Sequence, residues 1–104
     1  MSGRSSRTKG SAAEREVVAI LKEAGYDVRR CPYSGALEWM KGDIVGAPWH
    51  VEVKRCEALR IPEWMRKLRE QAEDKPGVLI FRRSREEWNV CLTLEDFLGL
   101  MEGE

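Results

Sequence analysis

Four residues carry the chemistry that this sequence offers: Glu14, Asp43, Glu52 and Lys54. Two of them lie in Trp49-His-Val-Glu-Val-Lys54, where apolar and polar side chains alternate as on a β-strand. Trp49, Val51 and Val53 then share one face, and His50, Glu52 and Lys54 the other. Asp43 opens the preceding strand, Asp43–Val45, and Gly46-Ala47-Pro48 between the two is a turn signal. If the turn centres between Ala47 and Pro48, Val45 opposes His50 and Asp43 opposes Glu52, with Cβ atoms about 5 Å apart. A three-residue turn would slip the register by one and separate the two acids.

Carboxylates that close repel unless positive charge lies between them, and two arrangements supply it. In one, Lys54 neutralises the acids in a buried ion-pair network. In the other, a divalent cation does so. Mg²⁺ is usually held by one or two carboxylates with waters and substrate phosphates. Asp43, Glu52 and a main-chain carbonyl of the hairpin, that of Val53, suit such an ion. Lys54 would then reach the same space to assist a nucleophilic water or to stabilise a phosphate in its transition state. Glu14 precedes Val17, Val18 and Leu21 and so lies at the inward edge of a helix, but with Ser11 it also completes the capping box S-x-x-E.

The elements that must position these residues are legible in outline. The 104 residues suffice for one domain with a modest core, and 42% hydrophobic with 35% charged residues is globular composition. No apolar run approaches the ~20 residues of a membrane span, so a soluble, cytoplasmic protein without membrane partners is expected. Cys31, Cys56 and Cys91 form no CxxC, and His50 is the single histidine. These exclude a disulfide framework, a structural zinc site and a Ser-His-Asp triad as expectations. Residues 1–10 carry Arg4, Arg7 and Lys9 and no acid, and read as a flexible basic arm ahead of a domain over 11–104. The last ten residues carry four acids and no base, so a polyanion is expected to meet the basic side.

A first helix is expected from the Ser11–Glu14 box to Gly25, with Val17, Val18, Leu21 and Ala24 as its apolar stripe. Tyr26–Cys31 reads as a strand, followed by a loop rich in Pro, Ser and Gly. Ile61, Trp64, Met65, Leu68 and Ala72 recur at helical spacing behind Pro62, and Pro76-Gly77 ends that helix. Val78–Phe81 is continuously apolar, as in a strand covered on both faces. Trp88, Val90 and Leu92 alternate in a fifth strand, and Thr93 caps a last helix with Leu94, Phe97, Leu98 and Met101 inward. The order αβββαββα implies an α/β fold, a mixed five-stranded sheet flanked by helices.

With the elements in place, Gly42-Asp43-(x8)-Glu52-Val-Lys54 resembles the PD-(D/E)xK nuclease core, with Gly42 where proline is usual. Lys9–Glu16 ("KGSAAERE"), its helix, "GYDVRR" and a Ser-Gly loop resemble the Holliday-junction resolvases of archaea and their phage-encoded relatives. The resemblance runs from Lys9 to about Lys54 and is an agreement of element order beyond. It implies a restriction-endonuclease-like fold. The activity it implies is a Mg²⁺-dependent endonuclease, with Mn²⁺ as a substitute, that resolves four-way or branched DNA by paired symmetric nicks as a homodimer. Glu14, Asp43, Glu52 and Lys54 correspond to the catalytic residues, with Asp43, Glu52, the Val53 carbonyl and Glu14 around the metal. Lys9, Arg15 and Arg30 match the DNA-contacting basic residues, and Ser34 the loop serine that approaches the scissile backbone. Arg4, Arg7, Arg29 and Arg55 would add phosphate contacts, which bring salt-dependent affinity with little sequence preference.

Two other functions stand beside this one. The first is a related nuclease acting on duplex or forked DNA. The second is a non-catalytic DNA-binding module on the same fold, against which the intact set of four residues speaks. Trp64 and Leu68 serve a dimer interface or simply pack on the sheet. Trp39 and Met40 wedge into DNA or fold back on the core. Gln71 supports the site or is a plain surface amide, and Arg82 and Arg83 leave the central strand toward DNA or solvent.

Overall fold

The computed structural model describes residues 2–31 and 43–103, with side chains from Ala12 onward. Its elements are α1 (Ser2–Glu23), β1 (Arg29–Arg30), β2 (Ile44–Val45), β3 (His50–Arg55), α2 (Ile61–Ala72), β4 (Gly77–Arg82), β5 (Asn89–Cys91) and α3 (Leu94–Glu102). The five strands form one sheet in sequence order, β1-β2-β3-β4-β5. Among the described strands only β3 and β4 run parallel, and α2 is the crossover that a parallel pair requires. The sheet is therefore mixed and the α/β order is the expected one. β3 is its centre, which accounts for the clean apolar face of Val51 and Val53.

Parallel pairing sets Val51 beside Val78 and Val53 beside Ile80. These four form one buried face with Ala13 and Val17 of α1, Val28, Ile44 and Ala47. The opposite face pairs His50 with Gly77, Glu52 with Leu79 and Lys54 with Phe81. There α2 lies close over β4: a Cβ at Gly77 would stand 3.0 Å from Leu68 Cγ. Leu68 and Leu79 are both buried, so the sheet is covered on both sides around β3 and β4. Glu52 and Lys54 thus project from the central strand toward the crossover helix.

The helix ends follow their capping chemistry in part. Tyr26 N–H donates to Leu21 C=O and Gly25 N–H to Lys22 C=O, both at 3.0 Å, and Gly25 takes φ +107°. This paired pattern closes α1 where glycine was expected to stop it. At α3, the Asp96 N–H donates to Thr93 Oγ1 at 3.1 Å, as the predicted cap requires.

Three expectations need correction. The helix expected to begin at the Ser11–Glu14 box begins at Ser2. Ser11 is interior to α1, where N–H groups already bond four residues back and a capping box has nothing to satisfy. Extending an existing helix costs far less than nucleating one, and no proline interrupts this stretch. The first strand shrinks from Tyr26–Cys31 to two residues, since among the described residues β1 is an edge that pairs with the equally short β2 alone. Leu94, Phe97, Leu98 and Met101, expected inward, are 72%, 46%, 48% and 54% exposed. The short β5 ends the sheet, with Val90 on it also exposed, and leaves α3 no apolar face to cover.

Cys56 and Cys91 are free thiols. Among the described residues, no helix is long and apolar enough to cross a membrane.

Candidate active site

The turn between β2 and β3 sets the acids. Ile44 pairs with Val51, and this register places Asp43 opposite Glu52. Gly46 makes the turn possible, because it takes φ +103° and a Cβ there would collide with the Asp27 carbonyl. The Asp43 N–H donates to Val51 C=O at 2.9 Å. In return the Val53 N–H donates to Asp43 Oδ2 at 2.7 Å, which holds the carboxyl against β3. Glu52 stands across the pair with a side chain 20% exposed.

Burial and the neighbouring Glu52 charge push the Asp43 carboxyl up to about 8, with a smaller contribution from Glu14. The Val53 N–H opposes the shift without reversing it. Burial would raise Glu52 too, but His50, the Asp43 hydrogen bond and the Lys54 charge together hold it below its ordinary range. The pair therefore keeps one proton, on Asp43, and one negative charge, on Glu52. A cation between them would take over the proton's task.

Of the other site residues, Glu14 is placed from α1 with its side chain 16% exposed and Oε1 3.0 Å from Arg30 Nε. Its charge reaches Asp43, so three acids and Arg30 share this end of the sheet. Lys54 Nζ turns the other way and lies 5.7 Å from the ring centroid of Trp64 on α2. A cleft of about 380 Å³ opens there, with Glu52 and Lys54 at the strand side and Trp64, Lys67 and Gln71 along the helix. Gln71 thus joins the cleft that holds Glu52. Leu68 is core rather than interface, at 1% exposure.

Among the described residues, no three His, Cys, Asp or Glu side chains lie at metal-cage spacing. Asp43 and Glu52 nevertheless fit a hard divalent ion, which needs only one or two carboxylates when a phosphate and waters complete its shell. Their shared proton marks a place where negative charge is in excess. Glu14, engaged by Arg30, stands outside the pair.

The basic residues divide. Arg15 is exposed on α1, and Arg29 is exposed beside Arg30 on β1. Arg55 turns its Nε inward, where it meets no hydrogen-bond partner among the described residues. Arg82 is taken up by Glu16 at 3.1 Å and by the Trp88 ring at 4.9 Å, which ties α1 to the sheet. Arg83 Nε donates to Glu57 C=O at 3.1 Å, so this arginine is also held by the protein. The side chains of Arg4, Arg7 and Lys9, together with Ser34, Trp39 and Met40, lie outside the described residues.

One participant was missed. His50 is 7% exposed, shares the face of Glu52, and places Nε2 3.7 Å from Glu52 Oε1. That distance is beyond a hydrogen bond, and Nε2 has no other partner among the described residues. His50 is nevertheless the foremost of the neighbours that hold the Glu52 carboxyl below its ordinary range. Strand alternation already set it on this face; only its burial was hidden.

A model of the family described as "Phage putative PDDEXK endonuclease" matches residues 5–102 of the chain. No curated protein matches it, and no solved structure matches it.

Proposed function

Because the chain belongs to this family of phage PD-(D/E)xK endonucleases, we propose that it is a divalent-metal-dependent endonuclease that cuts four-way or branched DNA as a homodimer. The observation that carries the chemistry is the opposed Asp43–Glu52 pair with Lys54 two residues on along the central strand. The likeness of Lys9–Lys54 to the Holliday-junction resolvases supports the branched substrate.

Asp43, Glu52 and the Val53 carbonyl would hold the ion, with Glu14 beside them. The chemistry that Mg²⁺, or Mn²⁺ in its place, would supply there is polarisation of a phosphate and activation of water near neutral pH. The protein supplies the rest. Glu52 is ionised and fixed by the strand, so it receives charge without rearranging. Lys54, whose ammonium rests on Trp64 in the free protein, would swing to the same space with substrate bound and neutralise charge that grows on the phosphate oxygens. Arg15, Arg30 and Arg55, with Arg4, Arg7, Lys9 and Ser34, would engage the backbone on either side. Arg30 also keeps Glu14 turned toward the acids.

Resolution of a junction takes two nicks in paired positions, which a two-fold dimer delivers with one active site per protomer. The surface suited to a second copy is the outer face of β5 and α3. Val90, Leu94, Phe97, Leu98 and Met101 are all about half exposed or more. Exposed large apolar side chains of this kind mark interaction sites when a partner covers them.

The test is cleavage of a labelled four-way junction beside linear duplex of the same sequence, with Mg²⁺ or with EDTA, for wild type and Asp43→Asn. Paired nicks confined to the junction, and lost in EDTA and in the variant, are expected. Metal-dependent cutting of both substrates would leave a nuclease of another substrate class. Junction binding without cutting under either metal would overturn the catalytic assignment.

A further inference from the structure

The cleft between β3 and α2 contains more than the hydrolysis needs. Trp64, Lys67, Leu68 and Gln71 recur at three, four and seven residues and form one stripe of α2. Leu68 at its centre is buried and fastens the helix to the sheet. Trp64, half-buried, and Gln71, exposed, flank it and line the open space beside Glu52. A solvated helix edge is served by charge alone, whereas this one spends its largest aromatic residue on a polar cleft.

We infer that this cleft receives one unpaired nucleobase of the substrate strand, stacked on Trp64 beside Glu52, next to the phosphate that would face the metal-binding acids. The inference rests on the nuclease reading and specifies its substrate. The space of about 380 Å³ is at the small end for a ligand site and suits a single base with its sugar rather than a base pair. Every base has a π-face, so stacking on an indole gains affinity without reading sequence. The Gln71 amide offers donors and an acceptor to the base edge. Lys67, on the same stripe, adds an ammonium to the cleft that a neighbouring phosphate could meet. A base in an intact duplex cannot enter. The cleft thereby favours strands already unpaired, as at a branch point, over linear duplex.

The stacked base also acts on Lys54. Its ammonium lies over the Trp64 ring, and a base cannot share that face with it. Arrival of the base displaces Nζ from the indole, and Glu52, which already feels the Lys54 charge from the same strand face, is a carboxylate it can turn toward. Only a substrate with a free base thus completes the set of charges around the phosphate.

The experiment uses the whole protein in EDTA, so that nothing is cut. Branched DNA with one unpaired 2-aminopurine beside the branch is compared with linear duplex carrying the same base paired. Stacking is read from quenching of the probe, and affinity from the anisotropy of a distant dye. Wild type should quench the unpaired probe at least twofold and leave the paired one unchanged. Trp64→Leu should abolish the quench and weaken branched-DNA binding roughly five- to hundredfold, with duplex binding little altered. Trp64→Phe should recover most of both, which separates stacking from a folding defect. Quenching that persists in Trp64→Leu, or equal losses on both DNAs, would overturn the inference. Cleavage assayed separately with Mg²⁺ tells the two readings apart. Cutting without stacking refutes the base site alone, and stacking without cutting refutes the nuclease assignment alone.

Discussion

The proton on Asp43 gives the site a measurable signature in the metal-free protein. Its folded-state pKa, about 8, lies above the ordinary 3.8. The folded state therefore binds the proton more tightly than the unfolded chain. The associated stability is fully present below about pH 4 and is lost as pH rises through about 8. Glu52 is shifted the other way, so its contribution is present above its ordinary range and fades only in acid. Unfolding in urea with EDTA should thus show stability falling by a few kcal/mol between pH 5 and pH 8. Asp43→Asn should flatten that slope and exceed wild type in stability at pH 8, while cleavage drops at least a thousandfold. A wild-type curve flat over this window would contradict the shared proton. Divalent metal added at pH 7 should release protons, because it displaces the one on Asp43. The acids and Lys54 were legible in the sequence because turn length and strand alternation are local properties. The burial of His50 was not, since it depends on the helix that returns over β3 from the chain's second half.

At the scale of elements, the site depends on one tight turn. Gly46 takes φ +103° against the Asp27 carbonyl, so an added methyl is strained by its backbone and by its neighbour alike. Gly46→Ala is expected to cost about 1–3 kcal/mol and to lower kcat beyond what the lost folded fraction explains. Thermal melting beside single-turnover cleavage would check this; a loss of stability with unchanged turnover would show that the turn does not hold Asp43 in register. The sequence conveyed this turn well, for Gly-Ala-Pro admits few geometries and the predicted register is the one formed. It conveyed helix ends unevenly. Gly25 and Thr93 are used as caps, whereas the Ser11 box is overrun because capping signals act only where a helix happens to start. The rotation of α2, which brings Trp64 and Gln71 into one cleft, follows from packing on Gly77 and Leu79 and has no local signature.

The whole molecule is asymmetric in what it leaves uncovered. α1 and α2 bury both faces of the sheet at β3 and β4, while α3 carries an apolar stripe and buries none of its residues. A helical period in the sequence announces such a stripe but not what lies against it, which is why the inward expectation failed. If a second protomer covers it, Leu98→Glu should convert a dimer into a monomer in sedimentation equilibrium. Metal-dependent nicking should survive, while the two nicks on a junction become uncoupled. An oligomeric state unchanged by the substitution would place the interface elsewhere.

The sheet is also unequally fastened. β3 and β4 are bound to each other through six consecutive residue pairs, while β1 and β2, beside Asp43, contribute two residues each. Half of the carboxyl pair thus stands on the firmest part of the molecule and half on the part that can detach first. Fraying of this edge would scatter the acids without melting the core. Amide exchange at Ile44 and Val45 should accordingly outpace that at Val53 and Ile80. On warming, cutting should cease several degrees before the circular dichroism changes, leaving an enzyme that is folded, silent and able to recover on cooling.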